Sequence, residues 1–152
     1  MSGAFSDPPA LVVSQLVIDL GLGTDPDTDD VWPVYHSKMP DGPGVPNNAI
    51  TVYETTPRLQ GRIMFDGETQ ENHGIQVRVR ADGAVTGQGK ARAIQRAFDV
   101  DVSRTTVIVG ANEYLVHCIN RLGGILPLGT ETPEGRRELF TLNVLAVMRQ
   151  TS

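Results

Sequence analysis

A chain of 152 residues with 39% apolar and 20% charged side chains is the size of one ordinary domain. Such a domain removes ~70% of its unfolded surface from water, so neither disorder nor a set of domains is called for. The net charge of −5 excludes the broad basic surface on which most nucleic-acid binding rests. No run reaches the ~20 apolar residues needed to span a bilayer, and MSGAFSDPPA has no basic segment followed by an apolar stretch, so neither a membrane nor a secretory signal is expected.

Residues 8–20, PPALVVSQLVIDL, read as a first helix. A proline is tolerated in the opening turn, Val13, Leu16, Val17 and Leu20 recur at helical spacing, and Gly21 ends the run. In GLGTDPDTDD, Asp25, Asp27 and Asp29 have the one-three-five spacing of a calcium loop. Asp30 stands where that loop needs glycine and His36 where it needs glutamate, so a solvated acidic loop is expected. Residues 31–36, VWPVYH, form a short strand that Pro33 confines to a sheet edge. After a loop rich in Pro, Gly and Asn, residues 49–55 alternate as a second strand, and RIMF, 62–65, gives a third. The polar stretch 66–74 is expected to be a long connection.

Residues 74–99 are the centre of the chain. Ile75, Val77, Val79 and Ala81 alternate with Gln76, Arg78, Arg80 and Asp82, which is a strand with one apolar and one polar face. Asp82 is placed to cap a helix on which Ala84, Gly87, Ala91, Ile94 and Phe98 form one stripe. Two strands, 105–109 and 113–121, then read as a hairpin, and 122–136 as a Gly- and Pro-rich connection. The closing strand, 137–149, is apolar on both faces, so it is either central in the sheet or covered by another subunit. The order helix, strands, helix, strands makes an α+β fold: a mostly antiparallel sheet packed against two helices in a single domain.

No pattern carries catalysis. Gly87, Gly89 and Lys90 lack the rest of a phosphate-binding loop, and the glycines are better read as letting a helix lie close to the sheet. His36, His73 and His117 have no spaced metal partner in sequence, and the lone Cys118 no disulfide partner, which points to a reducing cytosol and a small buried residue. No catalytic residue, cofactor or metal ligand is assigned. Arg78 and Arg80 share a strand face, which is either solvated or set against a neighbour's carboxylates.

The run GIQVRVRAD, the helix carrying KARAIQRAFD, and ILPLGTETPEGRRELFTLNVLAV together resemble the phage minor-capsid and tail-terminator family of long-tailed phages. The shared features fall at Ile75 to Ala81, at Pro127, Gly129, Glu131, Gly135 and Arg136, and at Phe140 to Val144. Thr132, Pro133 and Glu134 lengthen the link relative to the family pattern. The resemblance implies a homo-oligomer, typically a ring of six, on the head-proximal end of a finished tail tube. There it stops tube polymerisation and offers a surface to the head connector, in a virion assembled in the host cytoplasm. Genome DNA passes the lumen without specific binding, which an acidic balance suits. On this reading the subunit interface includes Arg78, Arg80, Arg136, Arg137, Leu145 and Val147. Two other readings stay open: a neck, head-completion or minor capsid component, and a small metal-dependent hydrolase using His36, His117 and Glu113. A sheet face binding peptide or RNA is disfavoured, because the central strand has no aromatic for stacking.

Overall fold

A computed structural model describes residues 6–28, 31–39, 46–55, 58–62, 69–130 and 137–151. Among these, two helices and eight strands make one α+β domain. Its elements are α1 (Pro9–Asp19), β1 (Val34–His36), β2 (Ala49–Glu54), β3 (Arg58–Arg62), β4 (Thr69–Ala81), α2 (Ala84–Val100), β5 (Thr105–Val109), β6 (Asn112–Arg121), β7 (Leu126–Thr130) and β8 (Glu138–Gln150). The sheet runs β1-β2-β4-β8-β6-β5, with β3 added beside β4 and β7 beside β8. Only β1 and β2 pair in parallel; the other ladders are antiparallel.

The alternation in the central strand places its apolar set inward. Ile75, Val77, Val79 and Ala81 are fully buried, opposite Val144, Leu142, Phe140 and Glu138 of β8. Helix α2 lies over β4, β6 and β8, whereas α1 touches β1 and β2 at one end of the sheet and β5 at the other. The sheet therefore curls round a single core that takes Val12, Val13, Leu16 and Val17 from α1 and Ala91, Ile94 and Phe98 from α2. Burial of each large aliphatic side chain here is worth about 1.5–3 kcal/mol.

The close-approach reading of the glycines holds for one of the two. A Cβ on Gly87 would come within 2.6 Å of Phe140 Cε2, and Gly87 is buried, while Gly89 faces open space. Pro33 does confine its strand to an edge, since β1 pairs only with β2 apart from a bridge between Thr24 and Pro33. Strand β1 nevertheless starts later than expected. Trp32, just before Pro33, takes φ 54, so the regular strand begins only at Val34, although the Pro33 carbonyl still accepts from the Ile50 amide.

Four sequence expectations are corrected. Asp82 is not the cap of α2: Gly83 occupies that position with no side-chain hydrogen bond, and the Asp82 amide donates to Asn48 Oδ1 instead. The stretch expected as a polar connection is strand from Thr69 onward, because β3 and β8 supply ladder partners to residues whose side chains alone read as loop. The third strand lies at 58–62, and of the expected 62–65 the last three residues fall outside the described ones. The Gly- and Pro-rich connection contains β7, in which Pro127 is tolerated because the strand has one neighbour only.

Candidate assembly surfaces

The polar face of β4 is built by three strands in register. Thr51 of β2, Arg78 of β4 and Thr141 of β8 stand side by side in one row, and Tyr53, Gln76 and Asn143 in the next. Arg78 is held by two partners: its guanidinium lies 5.2 Å from the centroid of the Tyr53 ring, and its Nη2 donates to Gln76 Oε1 at 3.0 Å. Gln76 Nε2 in turn donates to Asn143 Oδ1 at 3.2 Å. Thr51 and Thr141, on either side of Arg78, are buried. The result is a half-exposed Arg–Tyr platform of the composition that binding interfaces favour.

Arg80 has a different fate, and its place in an intersubunit contact is withdrawn. It is fully buried and donates through Nη2 to Pro46 O at 2.8 Å and through Nε to Asn47 O at 3.3 Å. In the two rows below it on the same face, Arg78, Tyr53, Gln76 and Asn143 are only half-buried, so the alternation assigned the face correctly and could not assign the depth. The 46–47 segment folding over the strand end is a tertiary contact with no sequence signature. Val147 is likewise buried within the chain, because β8 is central, flanked by β4 and β6. Leu145 stays half-buried, and Arg137 donates through Nε to Asn47 Oδ1 at 2.9 Å. Arg136 lies outside the described residues.

The sheet also leaves an apolar edge that sequence reading passed over. Strands β6 and β7 both lie along one side of β8, and β5 covers only the first half of β6, Asn112 to Val116. From there to Thr130 the edge has no strand partner among the described residues. It carries Leu122, Leu126 and Leu128, each about half exposed at 51%, 53% and 50%. An open strand edge with exposed leucines is the feature that lone subunits ordinarily blunt with charge or cover. The signal was present as ILPLG, three apolar residues around a proline, and was masked by its resemblance to a turn.

At the opposite edge, an open groove of about 420 Å³ separates α1 from β1. Leu11, Ile18, Val34 and Tyr35 line it, with Asp25 and Asp27 on its rim beside His36 and Lys38. The acidic turn is closed internally, since Asp25 Oδ1 accepts from the Asp27 amide at 2.9 Å. Asp29, the third residue of the calcium-like spacing, lies outside the described residues.

Three further sets of titratable groups have structural partners. Asp7 Oδ2 accepts from the Tyr114 hydroxyl at 2.6 Å and from Asn112 Nδ2 at 2.9 Å, clasping the start of α1 to β6. Burial, then the bond to Asp7, pushes the Tyr114 hydroxyl up to about 12. Lys90, the lysine of the glycine string, donates to Leu22 O at 2.9 Å and lies 4.8 Å from the centroid of the Trp32 ring, and burial pushes its ammonium down. His73 Nε2 is 3.1 Å from Glu71 Oε1, where burial lowers the imidazole and raises the carboxyl.

His36, His117 and Glu113 do not meet. His36 is level with Val52, Val77 and hence Leu142 of β8, whereas His117 bulges between Val116 and Cys118, which face Met148 and Val147. From Leu142 to Val147 is roughly 17 Å at ~3.4 Å per residue, and four strand steps separate β1 from β6 besides. Glu113 lies farther along and accepts from Thr151 Oγ1 at 2.9 Å. The donors of one zinc ion each lie only ~2 Å from it, so this trio holds no metal. Among the described residues no cluster of three metal-ligating side chains occurs, and no helix is long and apolar enough to cross a membrane.

No protein-family model matches the chain, and no curated protein does. One solved structure bearing no functional name is 14% identical, over 94% of this chain and 92% of that chain, at a TM-score of 0.44. Likeness at that level carries no argument about function.

Proposed function

We propose that the chain is a structural subunit that assembles as a closed ring, typically of six copies, on the end of a completed phage tail tube. It ends tube growth there and offers the joining surface for the head connector. The family resemblance of residues 75–81, 127–136 and 140–144 motivates the role. The observation that carries the assembly reading is the unpartnered β6–β7 edge with Leu122, Leu126 and Leu128 half exposed. Such an edge draws a second chain, and a heterologous contact that closes on itself makes a ring. The Arg78–Tyr53 platform supplies a second, polar contact surface on the sheet face. The net charge of −5 suits a lumen that DNA crosses without sticking.

The test is tail assembly in the absence of this protein, viewed by electron microscopy, with purified protein then added back to preformed tubes. Overlong tails without it, and binding to tube ends on addition, are expected. Tails of normal length that fail only to join heads would assign the chain to the neck. Failure to bind tube ends under any condition would remove the terminator role.

A further inference from the structure

We propose that the Arg78–Gln76–Asn143 chain on the open face of the sheet binds a carboxylate, presented by an aspartate or glutamate side chain of a partner protein. The inference rests on the reading of the Arg78–Tyr53 platform as a contact surface, and names what that surface holds.

The platform is built to donate. Arginine has no acceptor atom, so Gln76 must turn its side-chain oxygen toward Arg78 Nη2, 3.0 Å away. Its amino group then points the other way and donates to Asn143 Oδ1 at 3.2 Å. Each bond engages an amide oxygen, and the groups left over are N–H donors: Nη1 of Arg78, the second hydrogen of Gln76 Nε2 and the amino group of Asn143. The row that Arg78 shares with Thr51 and Thr141 adds to the surplus. Both threonines are buried, at 0% and 2% exposure, and their hydroxyls and Arg78 Nε have no hydrogen-bond partner among the described residues. Folded chains pair nearly all such atoms, so three in one row mark a place where an acceptor is to be supplied.

The chain itself brings no counter-charge to this place. Arg78 has no carboxylate partner among the described residues, and the positions of β2, β4 and β8 that alternate onto its face include no Asp or Glu. Neither helix packs there, since the core takes the opposite set of side chains, Ile75, Val77 and Val79 from β4 with Leu142 and Val144 from β8. Yet the guanidinium is already fixed by the Tyr53 ring and Gln76, so little freedom is lost when a ligand arrives.

Charge and shape select the ligand. One guanidinium balances the single charge of a carboxylate and matches its two oxygens. A phosphate would bring a second negative charge to a chain of net −5. Around the polar centre stand apolar side chains that are half-buried or half-exposed: Tyr53 on β2, Leu139 and Leu145 on β8, and Leu126, level with Thr141, on β7. An ion pair within an apolar margin that sheds water is a meeting of two protein surfaces, whereas a small metabolite calls for a concave cavity.

NMR titration of the isotope-labelled protein tests this, read at the Arg78 side-chain Nε–H signal, which Arg78→Lys identifies by removing it. The probes are a short capped peptide with one glutamate between leucines, the same peptide with glutamine, sodium acetate and inorganic phosphate, all at constant ionic strength. The glutamate peptide is expected to saturate the signal and to bind at least about tenfold more tightly than the other three. Gln76→Glu sets a carboxylate of the chain's own beside Arg78 with almost no change of shape, and is expected to weaken the glutamate peptide at least about tenfold. Backbone amide signals that match the parent's away from β4 show that this variant keeps the fold. No saturation by the glutamate peptide, equal binding of its glutamine counterpart, or undiminished binding in Gln76→Glu overturns the proposal. Acetate binding as tightly as the peptide assigns the site to a small carboxylate, tighter phosphate binding assigns it to a phosphate group, and either result overturns the protein partner. Tube-end binding by the parent separates the failures. Tubes bound without peptide binding leave the terminator role and discard this site; peptide binding without tubes bound leaves the site and discards the role.

Discussion

Tyr114 ties the segment before α1 to β6 at a single hydroxyl. It is fully buried, donates to Asp7 Oδ2, and accepts from the Asp7 amide at 3.0 Å. Burial and the Asp7 bond raise its pKa from the ordinary 10.0 to about 12. A group with a raised folded-state pKa favours the protonated native form. Its contribution is complete below pH 10 and is lost as pH rises from 10 toward about 12. Tyr114→Phe is expected to cost about 1–2 kcal/mol at neutral pH, since the polar groups left behind lose a buried partner. The gap between the parent and this variant should shrink as pH approaches 12. Urea unfolding midpoints of the two proteins across that range check it; a constant gap would mean the hydroxyl acts only by filling space. At the same scale, Arg78 and Arg80 show what a residue pattern reveals. Alternation assigned both to one face, and the carbonyls of Pro46 and Asn47, more than thirty residues away, decided which of the two is buried.

Helix α2 shows how far an element can be read from its own residues. Of its expected stripe, Gly87, Ala91, Ile94 and Phe98 form the buried face, as the three-and-four spacing requires, whereas Ala84 at the helix start is exposed. The two glycines of its first turns play unlike parts. At Gly87 a methyl group would press on Phe140 Cε2 and Cδ2, at 2.6 and 2.8 Å, and on Ala81 Cβ at 3.2 Å. Overpacking of about 1–3 kcal/mol outweighs the ~1 kcal/mol that alanine gains over glycine in a helix. Gly87→Ala is therefore expected to destabilise, by up to about 2 kcal/mol, whereas Gly89→Ala, with nothing within 4 Å, should stabilise by about 0.5–1 kcal/mol. Thermal or urea denaturation of the two variants checks both signs, and a stabilising Gly87→Ala would show that the helix can retreat from the sheet. Strand β4 was legible over its apolar half and illegible over Thr69 to Gly74. There the polar side chains resemble a loop, and only pairing with β3 and β8 makes the strand. Strand β7 was missed for the complementary reason: Pro127 and the glycines around it are turn residues, and an edge is the one place where a strand accepts them.

At the scale of the whole molecule, the surfaces that stabilise the chain and those proposed to join copies are separate sets of residues. The core holds α1, α2 and the inner face of the sheet in one cluster, and none of Leu122, Leu126 and Leu128 belongs to it. Half-exposed leucines on an edge contribute little to the lone chain, because substitutions away from packed features move stability by about 0.5 kcal/mol or less. The double variant Leu126→Lys, Leu128→Lys is thus expected to unfold at the parental midpoint in dilute solution. Lysine on an open strand also opposes edge pairing, so the same variant should no longer bind tube ends or assemble. Measuring the unfolding midpoint and tube-end binding on one preparation makes the separation visible. A loss of stability beyond about 1 kcal/mol would place the leucines in the chain's own packing. Unimpaired tube-end binding would move the contact away from this edge, toward the Arg78–Tyr53 platform, where Arg78→Ala becomes the variant that abolishes it.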